Sequence, residues 1–286
     1  MFYAIINGEL VAASSASLPV SDLALQRGYG IFDFFKVLQG RPVFLEDHLD
    51  RFYYSASQMG LAVEYEREEL KALLDLLLQK NNTKDAGIKL LLTGGAAADG
   101  YTIGKPNMVM VQSPLVMGNA LKDAPLRLIT YPHQRQMSHI KTIDYLMAIW
   151  LQPHIKQQGA DDVLYHNNGE VTECPRSNFF IVTPHGTIAT PGKNILNGVT
   201  RKQVLQHLSN NVQIEVRPVM LEEVYTAKEA FVTSSVKNIF PVVMVDGKPI
   251  GDGKPGPITL SLAEKFRALM ELDAQQVVSQ NAVAIQ

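Results

Sequence analysis

Lys141 stands in the stretch SHIKTIDYLMAIW, just before the apolar run from Tyr145 to Trp150. A lysine at the edge of such a run has two chemistries open to it. On a surface it packs its stem and keeps its ammonium in water. Held partly out of water, the amine gives up its proton more readily and becomes a nucleophile able to form a Schiff base. Four other stretches become informative when read together with it, though none is specific alone. Arg51 lies beside His48 in EDHLDRFYYSA, on a helix face that suits either an anion or plain solvent. Glu173, in EVTECPRSNFF, stands where a strand gives way to turn-forming residues. In ILNGVTRKQVLQHL a loop with Asn197-Gly198 runs into a helix whose first turn holds Val199 and Thr200. Free N–H groups and the helix dipole make an anion site there, with simple N-capping as the alternative. Thr233-Ser234-Ser235 ends a strand in hydroxyls and amides that suit phosphate or carboxylate, or an ordinary turn.

The elements that must position these groups follow from periodicity and turn chemistry. Asn7-Gly8 between two apolar runs predicts a hairpin, as do Asn168-Gly169, His185-Gly186 and Asp246-Gly247 further on. The stretch FDFFKVLQGRPVFLEDHLDRFYYSASQMG reads as strand, turn at Gln39-Gly40, strand, helix, with Leu45, Leu49, Phe52, Ala56 and Met59 at helical spacing. A second amphipathic helix follows in EREELKALLDLLLQK, then strands at GIKLLLTGG and NMVMVQSPL. Beyond VMGNALKDAP come shorter strands, interrupted by helices at 142–158, 200–209 and 257–271. The pattern is α/β (α+β) in two domains: a small N-terminal α/β domain at 1–116, a linker at 117–121, and a larger domain at 122–286.

The composition of the 286-residue chain bounds its partners. It is 46% hydrophobic with a net charge of -2, which leaves no basic footprint for nucleic acid or an anionic membrane, so small molecules are the expected partners. The single cysteine, Cys174, excludes an intramolecular disulfide and a cysteine-rich zinc site; no metal is expected, and a reducing cytoplasm is. The start MFYAIINGEL lacks a basic region ahead of its apolar stretch and does not read as a signal peptide.

In order along the chain, RGYGIFDFFKV, EDHLDRF, IKTIDYL, NNGEVTECPRSNFFIV, ILNGVTR and VTSSVKNIFPV resemble the class IV pyridoxal-phosphate aminotransferases of fold type IV. That family includes the branched-chain and D-amino-acid aminotransferases and aminodeoxychorismate lyase, and the likeness runs from Ile6 to Pro249. It implies a β-barrel-like core in the larger domain, pyridoxal 5′-phosphate as cofactor, a homodimer, and an amino acid and a 2-oxo acid as substrates. It further implies that Lys141 carries the cofactor through its amine and shuttles the substrate proton, that Glu173 faces the pyridine nitrogen, and that the Tyr145 hydroxyl approaches the cofactor O3′. By the same likeness Arg51, Val199 and Thr200 hold the phosphate and Leu196 packs on the ring. Ser235, with the amide of Val236, serves phosphate and substrate carboxylate.

Three features bear on the substrate. The arginine and histidine that D-amino-acid members of the family carry after this strand are absent from TGGAAADGYTIG, where no basic residue precedes Lys105. The threonine near Asp33-Phe34 that assists elimination in the lyases is also absent. Tyr29, Phe32 and Phe34 suggest an apolar side-chain pocket, hence an aminotransferase for a branched-chain or other apolar L-amino acid. The alternatives are a lyase releasing pyruvate and 4-aminobenzoate, a D-amino-acid aminotransferase, and a catalytically silent binding protein of the same fold.

Overall fold

A computed structural model describes residues 2–115, 124–208 and 212–283; the expected linker at 117–121 lies outside the described residues. The chain forms two compact units, Met1–Met117 with Ile140–Asp144 and Met270–Gln286, and Gly118–His139 with Tyr145–Leu269. The short piece Ile140–Asp144, which contains Lys141, thus belongs to the same unit as the N-terminal sheet.

The first unit contains β1 (Tyr3–Ile6), β2 (Glu9–Ala12), α1 (Leu23–Arg27), β3 (Gly30–Leu38), β4 (Arg41–Pro42), α2 (Leu45–Gln58), α3 (Arg67–Asn81), β5 (Ala86–Thr93) and β6 (Met108–Pro114). Among the described residues its sheet has six strands in the order β2-β1-β6-β5-β3-β4. Alternate residues of β3 face opposite sides. Ile31, Phe35 and Val37 bury against Leu49, Phe52 and Ala56 of α2 and Leu70, Leu74 and Leu77 of α3, which repeat at helical spacing as the sequence predicts. Phe32, Phe34 and Lys36 take the other side.

The second unit contains β7 (Leu126–Pro132), α4 (Leu146–Trp150), α5 (Gln152–Gln157), β8 (Asp162–Asn167), β9 (Glu170–Val171), β10 (Glu173–Cys174), β11 (Ser177–Val182) and β12 (Ile188–Thr190). It continues with α6 (Val199–His207), β13 (Ile214–Val216), α7 (Leu221–Thr226), β14 (Glu229–Ser234), β15 (Asn238–Val245) and β16 (Lys248–Pro249); α8 (Pro257–Val283) follows. Among the described residues a ten-stranded sheet runs β13-β12-β11-β14-β15-β7-β8-β9, with β10 on β11 and β16 on β15, and curls into a half-barrel. Every residue of β11, one of its inner strands, is buried, as expected of a strand covered on both faces.

The hairpin signals hold. Asn7-Gly8, Asn168-Gly169 and Asp246-Gly247 all have positive φ at both positions, the backbone of a primed turn. The helix expected over 142–158 is instead two short ones that meet at Leu151. Pro153 supplies the reason, since its ring crowds the preceding turn and it has no N–H to continue the ladder. The last helix runs beyond 271 to Val283, because neither glycine nor proline interrupts that segment.

Candidate active site

In the first unit the site begins with a strand pairing. The Ile140–Asp144 segment lies along the start of β3: Phe32 N–H donates to the Lys141 carbonyl at 3.0 Å, Ile143 N–H to the Gly30 carbonyl at 3.1 Å, and Ile31 bridges Thr142. Lys141 N–H is 3.3 Å from Ser55 Oγ of α2. The backbone of Lys141 is therefore fixed from two sides, and its Nζ rests 4.4 Å from the centre of the Phe32 ring. A cation over a ring face is attracted by the ring quadrupole. Lys89 of β5 brings a second amine to 5.8 Å from the same ring. Phe32, expected to line an apolar pocket, thus has two amines close to its ring. Tyr29 donates its hydroxyl to the Met59 carbonyl at 2.7 Å. The Phe34 ring lies on Gly87, where any Cβ would strike it.

On the helix side of β3, Asp33 is fully buried and gathers the α2 residues His48 and Arg51, which are three apart and so share a helix face. Arg51 donates from Nε to Oδ2 and from a terminal nitrogen to Oδ1, both at 2.8 Å, and His48 Nδ1 is 2.7 Å from Oδ1. Burial alone would raise the Asp33 carboxyl; the charges and hydrogen bonds of Arg51 and His48 overcome that and hold it well below the usual carboxylate range. Burial lowers the His48 pKa despite Asp33, so near neutral pH the imidazole is uncharged and its Nδ1–H donates to Asp33. Arg51 is thus clamped bidentately by a carboxylate that had no sequence signal beyond the absence of a threonine.

In the second unit Glu173 is buried at the head of the β10–β11 hairpin, opposite Asn178. Arg135 Nε donates to Oε1 at 2.7 Å while its terminal nitrogen binds the Ser138 carbonyl. Leu196 N–H donates to Oε2 at 2.9 Å, and Asn178 returns its amide to the Leu196 carbonyl at 2.8 Å. Glu173 and Leu196, far apart in sequence, are therefore in contact, with Arg135 and Asn178 as the partners sequence reasoning missed. Both lie in stretches already singled out or adjacent to one, but neither has a spacing that marks it. Gly198, the N-cap of α6, leaves no room for a side chain: a Cβ there would collide with Asn178 Oδ1.

Val199 and Thr200 open α6 and are buried, and no side chain caps the helix at Gly198. Ser235 and Val236 form the turn between β14 and β15, where Ser234 Oγ accepts from Lys237 N–H at 3.0 Å. Thr233 Oγ1, on β14 beside Asn178, is buried without a hydrogen-bond partner. Tyr145 precedes α4 and lines a surface hollow of about 650 Å³ with Arg127, Lys156 and Arg176. Cys174, next to Glu173, is buried, and burial pushes its thiol well above the usual range, so it is inert as a nucleophile. No cluster of metal-ligating side chains occurs among the described residues, and no helix among them is long and apolar enough to cross a membrane.

These features fit an aromatic, phosphate-bearing cofactor. An uncapped helix start and an orphaned buried hydroxyl suit an anion, and a buried carboxylate held by two donors suits a ring nitrogen. The fold is that of the class IV aminotransferases, and the family model "Amino-transferase class IV" matches residues 30–245. The chain belongs to that family. It is 28% identical to the D-alanine aminotransferase of Bacillus licheniformis, over 89% of this chain and 92% of that one. It is 32% identical to a protein of Methanocaldococcus jannaschii provisionally named a branched-chain-amino-acid aminotransferase, over 92% and 94%. A hypothetical aminotransferase of Mycobacterium tuberculosis, solved in its PLP-bound form, superposes with a TM-score of 0.83 at 23% identity, over 95% of this chain and 99% of that one.

Proposed function

We propose that this aminotransferase uses pyridoxal 5′-phosphate to move an amino group from an apolar L-amino acid to a 2-oxo acid in a ping-pong cycle. The observation that carries the reading is the pair of anchored groups: Lys141 with its backbone fixed on β3 and its amine over Phe32, and Glu173 buried between Arg135 and Leu196 N–H. The cofactor, when bound, supplies a sink for the electron pair left at the substrate α-carbon. Lys141 is the amine that carries it and then moves the α-proton. Glu173 holds the proton at the ring nitrogen, a task that needs a carboxylate kept in place by charge-assisted bonds such as that from Arg135. Arg51, Val199, Thr200 and Ser235 hold the phosphate, Leu196 packs on the ring, and Tyr145 serves O3′. Ser235 and Val236 receive the substrate carboxylate, and Tyr29 and Phe32 border its side chain. A cytoplasmic homodimer is the assembly this reading includes, with the single buried cysteine consistent with a reducing compartment.

The missing basic pair after β5 favours an L-amino acid, and relatives named as D-alanine aminotransferases favour the second reading, D-alanine. Borohydride reduction of protein supplied with cofactor, followed by peptide mapping, tests the anchor: the pyridoxyl adduct is expected on Lys141, and an adduct on another lysine refutes the assignment. Single-turnover reactions with L-leucine, L-phenylalanine, L-glutamate, D-alanine and aminodeoxychorismate test the substrate. The apolar L-amino acids are expected to react fastest, with a graded preference of about 10–200-fold between close homologues. D-alanine fastest selects the second reading, and pyruvate with 4-aminobenzoate formed fastest makes the protein a lyase.

A further inference from the structure

Arg201 occupies the first turn of α6 in a setting that opposes its charge three times over. The residue is only 7% exposed, yet its Nε has no hydrogen-bond partner, and one terminal nitrogen reaches a neutral acceptor, the Pro191 carbonyl, at 3.0 Å. It makes no ion pair with a carboxylate among the described residues, and a buried unpaired charge is costly. The first turn of a helix is the positive end of its dipole, where a cation is disfavoured. Burial accordingly lowers the pKa of this arginine from its usual range. An apolar side chain would serve such a position better if packing alone were required.

The surroundings supply the missing half of the argument. Gly198 offers no side-chain cap, and the helical ladder begins with Lys202 N–H on the Gly198 carbonyl, so the amides of Val199, Thr200 and Arg201 remain at the open end. Gly198 abuts Asn178, and Asn178 pairs in register with Thr233, whose buried Oγ1 is the second orphaned polar atom of this corner. Helix dipole, open amides, orphaned hydroxyl and buried guanidinium are each complemented by an anion. We infer that Arg201 is an anion-positioning residue that, from the buried side of α6, makes this helix start selective for a phosphate monoester in its dianionic form. This rests on the cofactor reading above and extends it: the phosphate group is held by a charge beneath the helix as well as by groups at its end.

The test compares wild type with Arg201→Met and Arg201→Lys, titrating the cofactor-stripped protein with pyridoxal 5′-phosphate and, separately, with pyridoxal, which lacks the phosphate. Arg201→Met is expected to weaken pyridoxal 5′-phosphate binding by about 10–100-fold, the range for losing a charged donor, while pyridoxal binding stays within about twofold. Arg201→Lys is expected to recover part of the loss. The ³¹P resonance of the bound phosphate should be independent of pH from 5 to 8 in wild type and should titrate in Arg201→Met. Urea denaturation of the stripped protein guards against misfolding: with its charge unpaired, Arg201→Met is expected to be at least as stable as wild type. Equal weakening for both ligands, or unchanged binding of pyridoxal 5′-phosphate, overturns the inference and leaves Arg201 a brace for the Pro191 loop. Wild type that binds no pyridoxal 5′-phosphate overturns the cofactor reading itself, and the inference with it.

Discussion

Asp33→Asn is the sharpest probe of the site's construction, because Asp33 is buried completely and holds two α2 side chains at once. The carboxylate accepts two bonds from Arg51 at 2.8 Å and one from His48 at 2.7 Å. An amide of the same shape keeps one acceptor oxygen and turns an NH₂ donor toward a donor, so the nearly buried Arg51 guanidinium loses the negative charge of Asp33. Breaking a buried pair from one side costs about 3–5 kcal/mol, a large share of a typical folding free energy of about 5–15 kcal/mol. Urea denaturation at pH 7 should show that loss. Arg51→Met placed on Asp33→Asn removes the charge that Asp33 balances, so the double variant should be less destabilised than the sum of the singles by about 2–3 kcal/mol. The acid limb gives a second check. Asp33 has a folded pKa below its ordinary value of 3.8, so its contribution is complete above that pH and fades as pH falls further. His48, also lowered from 6.5, adds a loss that starts as pH drops below that value. Wild type should therefore lose stability steeply on acidification, and Asp33→Asn should show a shallower fall below pH 4. A loss at pH 7 under about 1 kcal/mol, or additivity of the two substitutions, would refute the view that Asp33 is the organising counter-charge of α2.

Glu173→Gln should keep the cofactor and lose about a hundredfold or more in turnover, near 3 kcal/mol, since an amide cannot hold a ring nitrogen protonated; unchanged kcat would put that partner elsewhere. Gly198→Ala should cost about 1–3 kcal/mol in urea denaturation and weaken cofactor retention, because its Cβ displaces Asn178 and frees Leu196; full retention would show that the loop adapts. Lys36 is buried, and burial lowers its pKa to about 8, so above that pH the folded state binds fewer protons than the unfolded one and stability rises with pH toward 10.5. Lys36→Met should abolish that alkaline rise, measured as urea midpoints from pH 7.5 to 10, and an identical rise in the variant would assign it to another group.

The local chemistry was legible in the chain itself. Asn7-Gly8, Asn168-Gly169 and Asp246-Gly247 are primed turns because only such residues adopt positive φ cheaply, and the apolar spacing of α2 and α3 buries the face it predicts. Lys141, Glu173 and the α6 start stood out only through the order of motifs that resembles the family, since each alone also fits an ordinary surface, strand-end or N-cap residue. Tertiary structure decided who holds them. Asp33 looked like one more strand residue until β3 was set against α2, and Arg135 carried no signal until the chain brought it to Glu173, 38 positions away. Arg201 drew no attention in the sequence; the tertiary structure buries it against the Pro191 carbonyl and leaves it no ion pair among the described residues. Periodicity reports which face of an element is buried, since that depends on neighbours one turn or one pleat away. The pairing of charges depends on which elements meet, and that is written in contacts separated by tens to hundreds of residues.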